Sequence, residues 1–397
     1  MIKKSLVPLT LGGFGIGMTE FVMMGILPDV AAGLNISIPQ AGYLISAYAI
    51  GVVVGAPTLV GLLAKRPPRS VLIWLMLMFA AFNALSAFAP NFESLLASRF
   101  LAGLPHGAFF GVGAVVASRL ADPGKVAVAM ATMFAGLTLA NVLGVPVGTW
   151  LGHNVSWRAV FLIVAGIGLA TAFSLQRLVP YFEGKADGSF VQDLRIFRRP
   201  SLWLALAITS IGTGGFFASF SYIAPLLTEL SGFAAATIPL IMIVVGVGMT
   251  AGVVVGGKLA DKFSPIRSIV ILLTSMAMLL LATGLLAGSQ PAMLVLAFAI
   301  GANALALGPS IQMLLMENSK EAEMLGSSLG QSGFNIGNAL GAYLGGIPLA
   351  LGFSYAAPQW VGAGLAGCGI LLALAMLFGN RRFGKAAVPV LALRAQR

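Results

Sequence analysis

The chain has 397 residues, of which 58% are hydrophobic and only 9% charged, and it carries a net charge of +11. Soluble domains carry roughly 25% charged residues to face water, so an ordinary water-facing surface is excluded and most of the exterior must face lipid. The basic excess does not point to nucleic acid, because Lys and Arg fall in short clusters between apolar runs rather than in a stripe interleaved with aromatics.

A helix needs about 20 apolar residues to cross the hydrocarbon core. The first run follows Lys3 and Lys4 and continues to about Leu27. That is longer than the roughly 7–15 apolar residues of a signal peptide, so it is predicted as a membrane span that stays attached. The same criterion predicts spans near 6–27, 42–64, 70–89, 94–118, 126–150 and 157–179. After a polar stretch it predicts 201–227, 237–259, 267–288, 291–316, 323–350 and 358–379. The eleventh, 323–350, is long enough to break at one of its glycines. The expected fold class is therefore an all-α membrane protein with twelve transmembrane helices. Its units are an N-terminal six-helix bundle (1–179), a cytoplasmic linker (180–200), a C-terminal six-helix bundle (201–380) and a basic tail (381–397).

With the N-terminus inside, 21 of the 23 Lys and Arg residues fall on the cytoplasmic side, leaving Arg99 and Arg158 outside. This bias predicts cytoplasmic termini in a cell inner membrane. The five tryptophans, Trp74, Trp150, Trp157, Trp203 and Trp360, all fall near predicted helix ends, as an interfacial belt would have them.

The two halves repeat. Gly136, Asn141, Gly144 and Gly148 in the fifth span match Gly333, Asn338, Gly341 and Gly345 in the eleventh, all 197 residues on. Pro28 matches Pro225 at the same offset. Six spans preserve orientation, so the halves are expected as parallel repeats, with a solute site between them and rocking as the mechanism.

Polar residues inside spans locate candidate function, because a charge at mid-membrane costs roughly 2.5–3.5 kcal/mol. Glu20 is the acid deep within a predicted span; it either carries a proton or has a structural partner. Arg99 lies at a similar depth, and an ion pair between the two, which would hold Glu20 ionised, is one hypothesis. His106 is a third candidate for proton coupling, with hydrogen-bonded packing as the plainer reading. Gln331, Asn335 and Asn338 share one helix face and, with Asn141 and Asn303, are candidates for contacting a polar substrate. Phe216, Phe220 and Tyr222 could line an apolar cavity or face lipid. No metal ligand cluster, phosphate-cradling loop or Ser/His/Asp set is legible, so neither an enzyme nor a cofactor is expected.

The loop after the second span reads Gly61-Leu-Leu-Ala-Lys65-Arg66-Pro-Pro-Arg69, and its repeat Gly257-Lys-Leu-Ala-Asp261-Lys262 with Arg267. These segments, Arg99-Phe-Leu-Ala-Gly103, and the helix seam Gly136, Gly144, Pro146 and Gly148 resemble the motifs of the major facilitator superfamily over the whole chain. Glu20-Phe-Val-Met-Met-Gly25-Ile-Leu-Pro28, Pro105-His106-Gly107-Ala-Phe-Phe-Gly111 and Ser156-Trp157-Arg158 resemble its drug/proton antiporter branch, most nearly the arabinose-inducible, AraJ-type efflux permeases. The resemblance implies proton-driven export of a small-molecule substrate such as a sugar, nucleoside or chloramphenicol-like drug, by a monomer in a lipid bilayer. It also implies a gating role for the loop motifs, in which Asp122 could pair with Lys65 or Arg66. A uniporter or importer of the same fold, or a non-transporting membrane sensor, are the competing readings.

Overall fold

The computed structural model describes residues 3–63, 65–122, 126–183, 194–319 and 323–387, and among them the secondary structure is entirely helical. The N-terminal half comprises α1 (Val7–Gly25), the short α2 (Leu27–Leu34), α3 (Ile38–Leu63), α4 (Pro68–Phe88), α5 (Phe92–Leu120), α6 (Val126–Leu139), α7 (Val145–Leu151) and α8 (Trp157–Leu178). The C-terminal half comprises α9 (Pro200–Phe220), α10 (Ile238–Lys262), α11 (Pro265–Leu286), α12 (Gln290–Asn318), α13 (Glu323–Ala350) and α14 (Ala357–Ala387).

Among the described residues, ten stretches are long and apolar enough to cross a membrane on length and composition. One of them, Val128–Leu178, spans 51 residues, about 75 Å at 1.5 Å per residue, more than twice the hydrocarbon thickness of about 30 Å. It is two crossings folded back at Ser156, where the backbone turns extended (φ −173°, ψ 137°). The remaining crossing is α13, whose Gln331, Asn335 and Asn338 make it the more polar helix. It runs unbroken over 28 residues, so the break considered for 323–350 does not occur.

Prolines place the irregularities. A proline lacks the N–H that an upstream carbonyl needs, so helices kink just before it. α1 breaks at Ile26 (φ −101°, ψ 11°) ahead of Pro28, and α9 is interrupted at Tyr222 (φ −116°, ψ 22°) ahead of Pro225. The paired prolines thus produce paired breaks. Pro146 likewise stands just after a π-helical turn over Ala140–Gly144, which carries Asn141; such turns absorb an extra residue and recur at functional positions.

Glycines set the helix pairs. A Cβ on Gly51 or Gly55 of α3 would come within 2.1 Å of the carbonyl oxygens of Phe100 and Leu104 on α5. On Gly248 and Gly252 of α10 it would meet those of Phe298 and Ala302 on α12, at 2.2 and 1.9 Å. Backbone-to-backbone packing of this kind replaces the hydrophobic effect as the glue between helices in lipid. The same contact, repeated at matching places, is the repeat made visible in three dimensions.

Of these stretches, α1 and α9 are the most buried and α11 and α14 the least, so the first helix of each half is central and the third and sixth of the C-terminal half are peripheral. Exposed Leu62, Phe88, Leu285 and Leu351 are the kind of surface that lipid, not water, covers. Trp74, Trp150, Trp203 and Trp360 are exposed near helix ends, but Trp157 is buried. Its indole nitrogen packs on Gly33 of α2, so its place at a helix end serves packing rather than the belt.

Candidate functional site

The N-terminal half holds a buried polar cluster. Arg99 on α5 is fully buried and donates to the Thr19 hydroxyl at 2.9 Å and to the Thr19 carbonyl at 3.0 Å. Thr19 in turn donates to Asn83 Oδ1 on α4 at 2.7 Å, and Asn83 donates to the Phe79 carbonyl. The guanidinium lies 4.4 Å from the centroid of the Tyr48 ring and 5.3 Å from that of Phe161, where cation–π attraction offsets part of the desolvation cost. Tyr48 Oη and His106 Nδ1 are 3.1 Å apart. His106 also packs on Phe110, so helices α3 and α5 hold it as part of this cluster.

The expected ion pair between Glu20 and Arg99 is not made. Neighbouring residues on a helix point about 100° apart, so Thr19 faces Arg99 while Glu20 faces the other half of the molecule. There Asn338 Nδ2 on α13 donates to Glu20 Oε1 at 3.5 Å, the long end of hydrogen bonding. Glu20 is buried and remains within electrostatic reach of Arg99 and Tyr48.

Around this point the two halves meet. Phe21 lies against Phe220, with ring centroids 6.3 Å apart. Ser46 on α3 donates to the Ala339 carbonyl at 3.1 Å, and Tyr43 faces Tyr343 at 5.8 Å. Tyr222, at the break after α9, donates to the Ala342 carbonyl at 2.6 Å and wedges its hydroxyl against Gly42 and Gly346. On the opposite side, the Asn141 carbonyl lies where a Cβ on Gly246 of α10 would be, 2.4 Å away. All these contacts lie from the middle of the bundle to the end away from Lys3, called the far end below.

The predicted substrate residues divide accordingly. Phe216, Phe220 and Tyr222 are all buried, so none faces lipid. Phe216 and Phe220 stack with centroids 4.9 Å apart, while the Tyr222 hydroxyl is already engaged by backbone. Asn335 donates to the carbonyl of partly buried Gln331 at 3.0 Å. Asn141 donates to the Leu137 carbonyl at 3.0 Å, and Asn303 to Ser275 on α11. Asn303 is therefore tied to its own half. The Oδ1 atoms of Asn335 and Asn338 are buried without a partner among the described residues.

In the helix seam, a Cβ on Gly136 would meet the Thr10 carbonyl at 2.1 Å, and one on Gly148 would meet Val22 at 2.6 Å; Gly144 faces Phe14, and Pro146 opens α7. The loop motifs lie at the end opposite the far end. Asp122 pairs with Lys3 at 2.6 Å. Arg69 donates to the Gln176 carbonyl, stapling α4 to the end of α8. Arg66 is exposed. Gly61 lies near the end of α3, and Gly257 has open space where a Cβ would stand. Arg267 lines a cleft of about 600 Å³ with Glu317 and Asn318. The Asp261 side chain, Ala64, the centre of the linker and the tail from 388 lie outside what is described.

Sequence reasoning did not single out Thr19, Tyr48, Asn83, Ser46 or Tyr43. Asn83 was legible as an amide inside a span, and Thr19 as the neighbour of Glu20. Tyr48, Ser46 and Tyr43 carry no signal beyond ordinary helix composition.

Known proteins place the chain. Residues 9–324 match the family model described as Major Facilitator Superfamily. The chain is 42% identical over 373 residues to the inner membrane transport protein YdhP of Escherichia coli K12, covering 94% of this chain and 95% of that one. It is 40% identical over 354 residues to the putative transporter AraJ of the same organism, covering 89% and 90%. It is also 32% identical over 368 residues to a chloramphenicol resistance protein of Streptomyces lividans, covering 91% of each. Among solved structures, the nucleoside transporter NupG superposes with a TM-score of 0.72 at 15% identity, over 94% of this chain and 98% of that one. A D-xylose–proton symporter gives 0.70 at 19% identity, over 94% and 96%. The chain belongs to the major facilitator superfamily, as a multi-pass membrane protein of two parallel six-helix repeats that works as a secondary transporter and not as an enzyme.

Proposed function

We propose that this transporter exports a small solute in exchange for protons, with Glu20 as the group that carries the proton. The observation that carries the reading is where Glu20 stands: buried, at the level where α1 of one half faces α13 of the other, and without an ion-pair partner among the described residues. An intramembrane acid is a functional group by default, because its burial is costly unless a proton or a partner compensates it. Arg99 and its cluster then act as a fixed positive charge beside a carboxyl that gains and loses a proton, and His106 steadies Tyr48 under the guanidinium. Phe216 and Phe220, with Asn141, Gln331, Asn335 and Asn338, supply the apolar and amide surface for the solute.

The Lys and Arg distribution supports cytoplasmic termini in the inner membrane, which makes the far end the outer one. The halves are then in contact on the outer side, as in a carrier that awaits its solute from within. Rocking about the α3–α13 and α6/α7–α10 seams would alternate access. The half-molecules are 1–179 and 201–380, joined by the linker, and the chain works as a monomer; the loop motifs around Arg66, Arg69, Asp261 and Arg267 brace the cytoplasmic ends. The relative named for chloramphenicol resistance supports export, and sugars, nucleosides and chloramphenicol-like drugs are the classes to test.

The test is transport in proteoliposomes over a panel of pentoses, nucleosides and chloramphenicol, with and without an imposed pH gradient. Solute movement against its own gradient, opposite to the proton flow, is expected. Rates indifferent to the pH gradient would indicate a uniporter, and movement with the protons an importer.

A further inference from the structure

Helix α13 carries a run of contacts to the N-terminal half. Asn338 meets Glu20, Ala339 meets Ser46, Tyr343 meets Tyr43, and a Cβ on Gly346 would lie 3.9 Å from Pro39. Moving along the helix, these contacts pass from the middle of the bundle to its far end. Asn338 is the first of them and the one that touches a carboxyl group. It is fully buried, and its Oδ1 has no partner among the described residues.

We infer that Asn338 is a positioning residue through which the charge on Glu20 holds the far-end seam shut. The inference rests on the reading of Glu20 as the proton carrier. An amide N–H donated to a carboxylate is a charge-assisted bond, roughly twice as strong as one between neutral groups. With Glu20 ionised, α13 is therefore pinned to α1 at the inner limit of the seam. When Glu20 takes up a proton, the bond weakens; when a solute with hydrogen-bonding groups enters, it competes for Glu20 and for the free Asn338 Oδ1. Either event releases α13. The empty, deprotonated carrier is thereby kept from rocking, which is the step that would otherwise let protons leak without cargo.

The charged and titratable groups around Glu20 are few. Arg99 on α5 and Tyr48 on α3 lie within electrostatic reach of it, with His106 against Tyr48, while α13 brings Asn338 and α9 brings Phe220 against the neighbouring Phe21. Arg99 is hydrogen-bonded to Thr19, and His106 contacts Tyr48, within the N-terminal half. Neither spans the seam, so neither supplies the same link between halves.

The test is the distance across the far end, read by pulsed electron resonance between spin labels at Gln40→Cys and Ser354→Cys in a Cys368→Ser background. In the otherwise unaltered protein, acidification should shift the closed-to-open ratio toward open by roughly fivefold, the difference between a charge-assisted and a neutral bond. Asn338→Ala should remove that pH dependence and raise cargo-independent proton leak in proteoliposomes. Asn338→Asp should invert it, because two carboxylates repel at high pH and share a proton at low pH. If Asn338→Ala does not fold, Glu20→Gln removes the charge from the other partner and should flatten the same profile. The His153–Asp29 contact at the far end is common to all these proteins and cancels in the comparison. A wild-type pH profile in Asn338→Ala, or an uninverted one in Asn338→Asp, overturns the latch. If Glu20→Gln abolishes proton coupling while Asn338→Ala keeps the wild-type profile, only the latch fails. If Glu20→Gln leaves coupling intact, the proton-carrier reading fails with it.

Discussion

The two halves are built on one scaffold and filled with different chemistry. In α1, α4 and α5 of the N-terminal half, Thr19, Glu20, Asn83 and Arg99 form the buried polar cluster. The residues 197 positions on are Phe216, Phe217, Leu280 and Leu296, all buried and all apolar. Backbone features behave in the opposite way: the glycine contacts of α3 on α5 recur in α10 on α12, and the proline breaks recur in α1 and α9. The two halves thus share what packs helices in lipid, while among the described residues buried charge stands in one half alone. A buried charge costs free energy wherever it is placed, which is why the proposed coupling site is assigned to the half that holds it. The C-terminal half answers with an apolar wall and, at Asn338, an amide that reaches across.

That contrast can be broken or sharpened by substitution. The largest effect is expected for Arg99→Ala, which leaves Thr19 and Asn83 without their cation and opens a cavity beside Tyr48. Losing the two charge-assisted hydrogen bonds to Thr19 and leaving a cavity costs about 3–5 kcal/mol together, seen as loss of monodisperse protein in detergent and a lower Tm. Arg99→Leu, which installs the residue found at Leu296, should recover much of that stability but no gradient-driven transport. Transport-competent Arg99→Leu would erase the functional difference between the halves.

Gly55→Ala and Gly252→Ala test the shared scaffold. Each places a Cβ about 2 Å from a carbonyl of the partner helix, an overpacking worth about 1–3 kcal/mol. Equal losses in thermal stability are expected, and tolerance at one site alone would show the two helix pairs to differ. Tyr48→Phe keeps the ring under Arg99 and loses the contact with His106. About 1 kcal/mol is expected from that hydrogen bond, with transport retained. The smallest effect belongs to Gly257→Ala, where nothing stands within 4 Å of the new methyl. Stability should hold or rise by roughly 0.5 kcal/mol, since Gly257 lies within α10 and alanine is the better helix former, and a large loss would mean that this glycine meets a partner in another state of the cycle.

How much of this was legible in the sequence follows from which forces act locally. Span lengths, the repeat and the proline breaks depend on residues near one another in the chain, and the long helices fall close to the predicted runs, whereas the short α2 was not foreseen. The depth of Glu20 and Arg99 was equally legible, because depth counts residues from a helix end. Their separation was not. Whether two side chains at one depth meet depends on the rotation of α1 and α5 about their axes, which hydropathy does not encode when a helix is apolar on every side. For the same reason Tyr222 reads as a cavity aromatic in the sequence, whereas its hydroxyl is fixed to the Ala342 carbonyl. The seam partners Tyr43 and Ser46 were silent because their role lies in what they face, not in what they are.

The most direct test of Glu20 as the proton carrier is solute flux by Glu20→Gln in proteoliposomes, measured both as gradient-driven transport and as exchange with no pH gradient. Glutamine keeps the shape and can still accept the bond from Asn338 but cannot cycle a proton. Exchange should persist while gradient-driven accumulation disappears. Accumulation at the unaltered rate would contradict the assignment and return Glu20 to a structural role.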